Sequence, residues 1–251
     1  MGSEMCIRDS RELLTTDRDA YGIYVQSPFP KENRRILIGS DVSSRYTRRN
    51  RAEYRKIAGY IARCVWQRQG NYMVFFPSYR LMEDVLQVYE EEFSVDWVRC
   101  VCQTPDMTEQ EREGFLEEFQ EREGTLVGFC VLGGIFSEGV DLTGESLIGA
   151  VIVGTGLPQI GSQREILKEY YDKKNHCGFD YAYRYPGMNK VLQAAGRVIR
   201  TKEDKGVILL LDDRFWDRDY QEIFPREWQD RTGCRLDTVE GAVETFWKRF
   251  T

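Results

Sequence analysis

The sequence predicts an α/β domain: a parallel sheet with helices on both faces. Three observations carry that expectation. Short apolar runs alternate along the chain with amphipathic segments of helical periodicity, the pattern of crossover units. The runs are apolar nearly throughout rather than alternating, as strands covered on both faces must be. Finally, 251 residues at 41% hydrophobic and 30% charged can bury a sizeable core, and no run approaches the length of a membrane span.

In order, the first 20 residues have no apolar h-region and read as a non-native or linker-like leader, with the domain proper over 21–251. A short aliphatic strand is predicted at 35–39. Over 51–69 the stripe Tyr54, Ile57, Ala58, Ile61 and Val65 predicts a helix, stopped by Gly70 and Asn71. The strand at 72–76 ends in Pro77-Ser78-Tyr79, and a helix with Leu81, Met82, Val85, Leu86 and Tyr89 inward runs to about 93. After a strand at 97–101, Thr108 and Glu111 form a capping box that opens a Glu-rich helix carrying Phe115, Leu116 and Phe119. Gly124 closes it. Strands at 125–132 and 147–153 follow, then a polar helix at 163–174, and the tail 238–250 packs Val243, Phe246 and Trp247 as a helix.

The segment 189–214 organises the rest. Val191, Leu192, Ala195, Val198 and Ile199 recur at helical spacing, and at about 100° per residue Gln193, Arg197 and Arg200 fall within roughly 60° on the other side. Gly196 gives up about 1 kcal/mol of helix propensity, which suggests a close approach to the backbone there. A charged turn at 202–206 leads into a buried strand at 207–211. Two arginines on a rigid element suit a polyanion, because guanidinium forks pair with phosphate oxygens. A solvated helix face would use the same residues.

Charge and cysteine usage narrow the classes. The net charge is −6, yet residues 34–68 hold ten Lys/Arg against Asp41 and Glu53. A basic block in an acidic chain fits a local phosphate or nucleic-acid site, or else an exposed helix face. The seven cysteines are scattered and contain no C-x-x-C, which argues for reduced cytoplasmic thiols rather than disulfides or a zinc site. One histidine, His176, nearly excludes histidine triads and multi-histidine metal centres.

Ligands of parallel sheets sit at the carboxyl ends of the strands, which selects the loops 77–80, 133–143 and 154–162. The second combines Gly133, Gly134 and Gly139 with Glu138 and Asp141, carboxylates suited to ribose hydroxyls, a neighbouring cation or acid–base work. The third, Gly154-Thr155-Gly156-Leu157-Pro158, begins like a dinucleotide loop but has Pro158-Gln159 where a helix-opening glycine belongs. Tyr170, Tyr171, Phe179, Tyr181, Tyr183 and Tyr185 can stack bases, although packing suits most of them better. No G-x-x-x-x-G-K-[ST] occurs, so phosphate-directed arginines stand here without a phosphate loop.

Gln193-x-x-Gly196-Arg197-x-x-Arg200, followed by Lys-Glu-Asp-x-Gly and the Leu-Leu-Asp-Asp-Arg-Phe strand, resembles motif VI of DinG/XPD-type superfamily 2 DNA helicases. Phe75-Phe76-Pro77-Ser78-Tyr79 resembles their motif IV, and Phe136-Ser137-Glu138-Gly139-Val140-Asp141 their motif V. Gly156-Leu157-Pro158 and Ser27-Pro28-Phe29 also fit, so the likeness runs from about residue 21 onward and is to the second motor domain alone. It implies a RecA-like, P-loop NTPase-type fold without its own phosphate loop, ATP bound in a cleft between two motor domains, and single-stranded DNA as partner, with no membrane. By motif, Arg197 and Arg200 would be arginine fingers with Gln193 beside them. Glu138, Gly139 and Asp141 would line the nucleotide, and Ser78 and Tyr79 would face the DNA track. The first motor domain of the same polypeptide would hold Mg2+ and, in many relatives, an iron–sulfur cluster. A stand-alone nucleic-acid-binding module without ATP turnover is the alternative; a self-contained nucleotide enzyme using Glu138 and Asp141 is a third reading.

Overall fold

The computed structural model of the chain describes residues 27–120, 124–136 and 146–250. The predicted leader lies outside them. Seven strands form one sheet: β1 (Arg34–Gly39), β2 (Asn71–Phe76), β3 (Val98–Cys102), β4 (Thr125–Val131), β5 (Gly149–Val153), β6 (Gly206–Leu211) and β7 (Thr232–Cys234). Their order is β3-β4-β2-β5-β6-β1-β7, and every pairing is parallel. The helices are α1 (Arg51–Val65), α2 (Tyr79–Glu92), α3 (Glu109–Glu118), α4 (Ser162–Asn175), α5 (Tyr185–Ala195), the short α6 (Arg218–Gln221) and α7 (Val239–Trp247).

Strand residues of alternating parity serve two cores, because successive side chains leave opposite faces of a strand. Leu37, Val74, Phe76, Phe129, Val151, Val153 and Leu209 pack under α1, α2 and α7. Ile36, Ile38, Met73, Phe75, Ala150, Ile152 and Leu210 pack against α3, α5 and the 213–228 segment. Each fully buried aliphatic or aromatic side chain contributes about 1.5–3 kcal/mol, so the centre of the sheet is where stability concentrates.

Most predicted elements stand within a residue or two of their observed bounds, the ordinary scatter of element ends. α1 is an exception, ending at Val65 rather than at 69. Residues 66–70 turn back into β2, with Gly70 at φ 148 and the Tyr72 hydroxyl donating to the Arg68 carbonyl at 2.8 Å. The capping box at Thr108 and Glu111 is present. β7 was not predicted: it is three residues long, contains Gly233, and exists because Leu37–Gly39 of β1 offer it a parallel ladder.

Candidate functional site

α5 begins earlier than its aliphatic stripe implies. A π-helical turn, Asp180–Arg184, feeds it without a break, and Pro186 follows directly on that turn. Its amino end abuts the loop after β5. A Cβ on Gly187 would lie 2.6 Å from the Thr155 carbonyl, and one on Gly156, at φ 67, would lie 2.6 Å from the Gly187 carbonyl. The Gly-x-Gly of this loop therefore seats a helix rather than a pyrophosphate; its first glycine faces the Ser44 hydroxyl. Farther along, Lys190 lies against Gly133, so α5 runs beside the loop after β4. Met188, Val191, Ala194 and Ala195 are buried beneath it and Gln193 is exposed.

The helix stops at Ala195, which corrects the predicted common face of Gln193, Arg197 and Arg200. Only Gln193 is helical. Gly196 is the C-cap, and a Cβ on it would meet the carbonyls of Leu192 and Gln193 at 3.2 and 3.5 Å. Arg197 and Val198 continue in a tighter turn, their amides donating to the carbonyls of Ala194 and Ala195 at 3.3 Å. Val198 is then buried so close to β6 that a Cβ on Gly206 would meet it at 2.2 Å.

What holds Arg200 is Asp204. Its Oδ2 accepts the amides of Arg200 and Thr201, both at 2.7 Å, and its Oδ1 accepts the Thr201 hydroxyl at 2.9 Å. Asp204 is only 6% exposed. Its carboxylate takes amides that a continued helix would have spent on carbonyls one turn back. The charged turn thus contains a buried anchor, legible in hindsight as Thr-x-x-Asp. Because α5 runs antiparallel to the strands, this turn lies at their amino end, where β6 begins. Ser78 and Tyr79 lie at the carboxyl edge. The structure therefore separates the two predicted groups of site residues onto different surfaces.

Ser78 caps α2, its hydroxyl accepting the Leu81 amide at 3.4 Å. The Tyr79 hydroxyl accepts from Gln103 at 3.0 Å, while the Gln103 carbonyl oxygen takes the Val131 amide at 2.9 Å. Gln103, which sequence reasoning passed over, so ties the ends of β3 and β4 to this tyrosine. Glu138, Gly139 and Asp141 lie outside the described residues.

A second polar group at the carboxyl edge was also passed over. Asp212, fully buried, accepts the Ser44 amide at 2.9 Å and hydroxyl at 2.6 Å, and the Arg214 guanidinium at 2.7 and 2.9 Å. Burial pushes the Asp212 carboxyl up, but Arg214 and Ser44 more than offset it and hold the group below the usual carboxylate range. The network joins β6 to the loop after β1.

The basic block is largely paired. Arg51 and Arg55 meet Glu91 and Glu92 on α2, Arg48 meets Glu53 and Asp213, and Arg45 meets Asp213 and Asp217. The aromatics between α4 and α5 pack on one another, with Tyr171 and Tyr181 stacked at 3.8 Å. Among the described residues six cysteines are free, no cluster of His, Cys, Asp and Glu fits a metal ion, and no helix is long and apolar enough to cross a membrane.

Against known proteins, the profile of the helicase C-terminal domain matches residues 61–231, more than half of the chain. The chain belongs to that family. It is 30% identical over 189 residues to the ATP-dependent DNA helicase XPD of Sulfolobus acidocaldarius, covering 71% of this chain and 31% of that protein. It is 29% identical over 206 residues to a probable ATP-dependent helicase of Methanocaldococcus jannaschii, covering 78% and 31%. The chain thus spans about a third of the length of these relatives. Its fold is that of solved XPD structures: one in the apo form superposes with a TM-score of 0.64 at 23% identity, covering 80% of this chain and 40% of that one. The structure titled Xpd4 of S. tokodaii gives 0.60 at 15% identity over 88% and 42%. This helicase C-terminal domain is RecA-like, with its parallel sheet covered on both faces.

Proposed function

We propose that this domain is the second motor domain of an ATP-dependent DNA helicase, closing a nucleotide site whose phosphate loop lies on a companion motor domain. One observation carries the reading: the family's motif VI residues end in a turn held rigid by a buried carboxylate, in a sequence without a phosphate loop. Phosphoryl transfer needs positioning and charge neutralisation more than covalent chemistry. Arg197 and Arg200 supply planar donors for charge developing on the γ-phosphoryl oxygens, Gln193 precedes Arg197 by four residues, and the loop with Glu138, Gly139 and Asp141 lines the nucleotide. Magnesium would be held by the companion domain, where it would neutralise phosphate charge and where any iron–sulfur cluster would also reside. Ser78 and Tyr79 contribute to a single-stranded DNA track at the carboxyl edge.

The reading makes two linked predictions. The isolated chain hydrolyses no ATP above an Arg197→Ala/Arg200→Ala control, measured as phosphate release with single-stranded DNA present. In the full-length protein Arg197→Ala lowers turnover by roughly 10³–10⁵, with melting temperature and DNA affinity nearly unchanged. Arg197→Lys rescues little, because an ammonium keeps the charge and loses the fork. An alanine variant that melts normally and still turns over within about threefold of wild type overturns the assignment. Turnover by the isolated chain would favour the self-contained enzyme instead.

A further inference from the structure

The segment after β1 carries an aromatic ring that the fold does not use. Tyr46 opens the short 3-10 turn Tyr46–Arg48 and is 78% exposed, more than Trp97 at 49% or Trp216 at 42%, the other rings that the sheet's edges leave in water. A ring left in water contributes almost nothing to stability, so its position asks for a partner. Its surroundings are built. The Arg49 guanidinium lies 5.5 Å from the ring centroid, and the Arg49 Nε donates to the Ser44 carbonyl at 3.4 Å. Ser44 is itself fixed by the buried Asp212. Arg45 and Arg48, on either side of the ring in sequence, are held by Asp213, Asp217 and Glu53 at 3.3–3.8 Å.

Those acids cancel the charge of Arg45 and Arg48, so their role is to hold the turn's shape. Arg49 is different: its contacts are a backbone carbonyl and an aromatic face. Arg80, exposed in the first turn of α2 and next to Tyr79, adds a second cation on this edge. It and Arg49 both lie near the Tyr54 hydroxyl, which burial and a hydrogen bond with Asp84 hold above its ordinary range. An exposed ring with flanking cations is the arrangement that binds single strands, because every base has a π-face and every linkage a phosphate.

We propose that a single-stranded nucleic acid crosses the carboxyl edge over α1 and α2, with one base stacked on Tyr46 and neighbouring phosphates on Arg49 and Arg80. This rests on the helicase reading above and adds contacts outside the motifs that carry the family resemblance. It also places the nucleic-acid contact of the basic block in the turn before α1, since Arg51 and Arg55 of the helix itself are paired with acids.

The test is fluorescence anisotropy of a labelled oligo-dT with this chain at low salt. Tyr46→Ala weakens binding roughly tenfold and Tyr46→Phe stays within about twofold, since the ring and not the hydroxyl does the stacking. Tyr46→Trp keeps affinity and its added fluorescence is quenched by the oligonucleotide, a readout that a purely structural ring would not produce. Arg49→Ala and Arg80→Ala each make the slope of log affinity against log salt shallower by about 0.7. If wild type binds and Tyr46→Ala, with an unchanged melting temperature, binds equally well, the proposal is overturned and the helicase reading stands. If wild type does not bind single strands at all, the DNA-track reading falls and this inference with it.

Discussion

Asp212 shows how one buried carboxylate joins distant parts of this domain. Its partners come from residue 44 and residue 214, and it is fully buried while Arg214 is mostly so. Removing one member of such a pair leaves the other as an uncompensated charge, which typically costs about 3–5 kcal/mol. Asp212→Asn should therefore lower unfolding free energy by about 3 kcal/mol in urea titrations. Asp213→Asn, at a site whose charged partners are the exposed Arg45 and Arg48 and where the amide oxygen can still accept the Ser43 hydroxyl, should cost under about 1 kcal/mol. The acid behaviour follows from the direction of the shift. The folded carboxyl titrates below the unfolded one, so its stabilisation is complete above the unfolded value of about 3.9 and is lost as pH falls through the lower folded value. The stability gap between wild type and Asp212→Asn should accordingly shrink below about pH 4 and stay constant from about 5 to 7.

At the scale of an element, the connection from α5 to β6 is the informative one. A helix continued through Arg200 would have carried Val198 and Ile199 on its stripe, but the chain must reach the start of β6 at Gly206. Asp204 stabilises the turn that gets it there by accepting two amides and a hydroxyl. Hydrogen bonds to a charged acceptor contribute about 1.5–3 kcal/mol each, so Asp204→Ala should destabilise the domain by about 3 kcal/mol, and Asp204→Asn by less. In the full-length protein Asp204→Ala should also lower ATP turnover at a temperature where the variant remains folded. Gly206→Ala tests the same connection sterically. Its Cβ would meet Val198 at 2.2 Å and the Ile148 carbonyl at 2.7 Å, and backbone cannot yield as a side chain does, so a loss of about 1–3 kcal/mol is expected.

The described residues form one sheet whose central strands serve two cores, so neither face can melt and leave the other intact. Trp66 and Trp247 pack on one face and Trp228 on the other. Unfolding followed by tryptophan fluorescence and by far-ultraviolet circular dichroism should give coincident curves despite the domain's size. A separate early transition in one signal would mean that the two layers are independent.

The strands and the stripes of α1, α2 and α7 were legible in the sequence because they depend on near neighbours: an apolar run buried on both sides, or apolar residues three and four apart. The capping box was legible for the same reason, as its partners are three residues apart. Gln193, Arg197 and Arg200 stood out in the sequence as a spacing that suits a polyanion, although that spacing placed all three on a helix that ends at Ala195. That ending is decided by Gly206, Val198 and Asp204 together, a packing event across the turn. β7 exists only because β1 presents an open edge to a segment nearly 200 residues later, and a three-residue ladder has no period of its own. Ser44, Asp212 and Arg214 meet across about 170 residues for a similar reason: the parallel order β6-β1 brings two carboxyl ends side by side. Local periodicity determined the elements. Strand order and burial decided which polar residues became neighbours, since desolvation makes a buried charge find its partner wherever the fold has placed it.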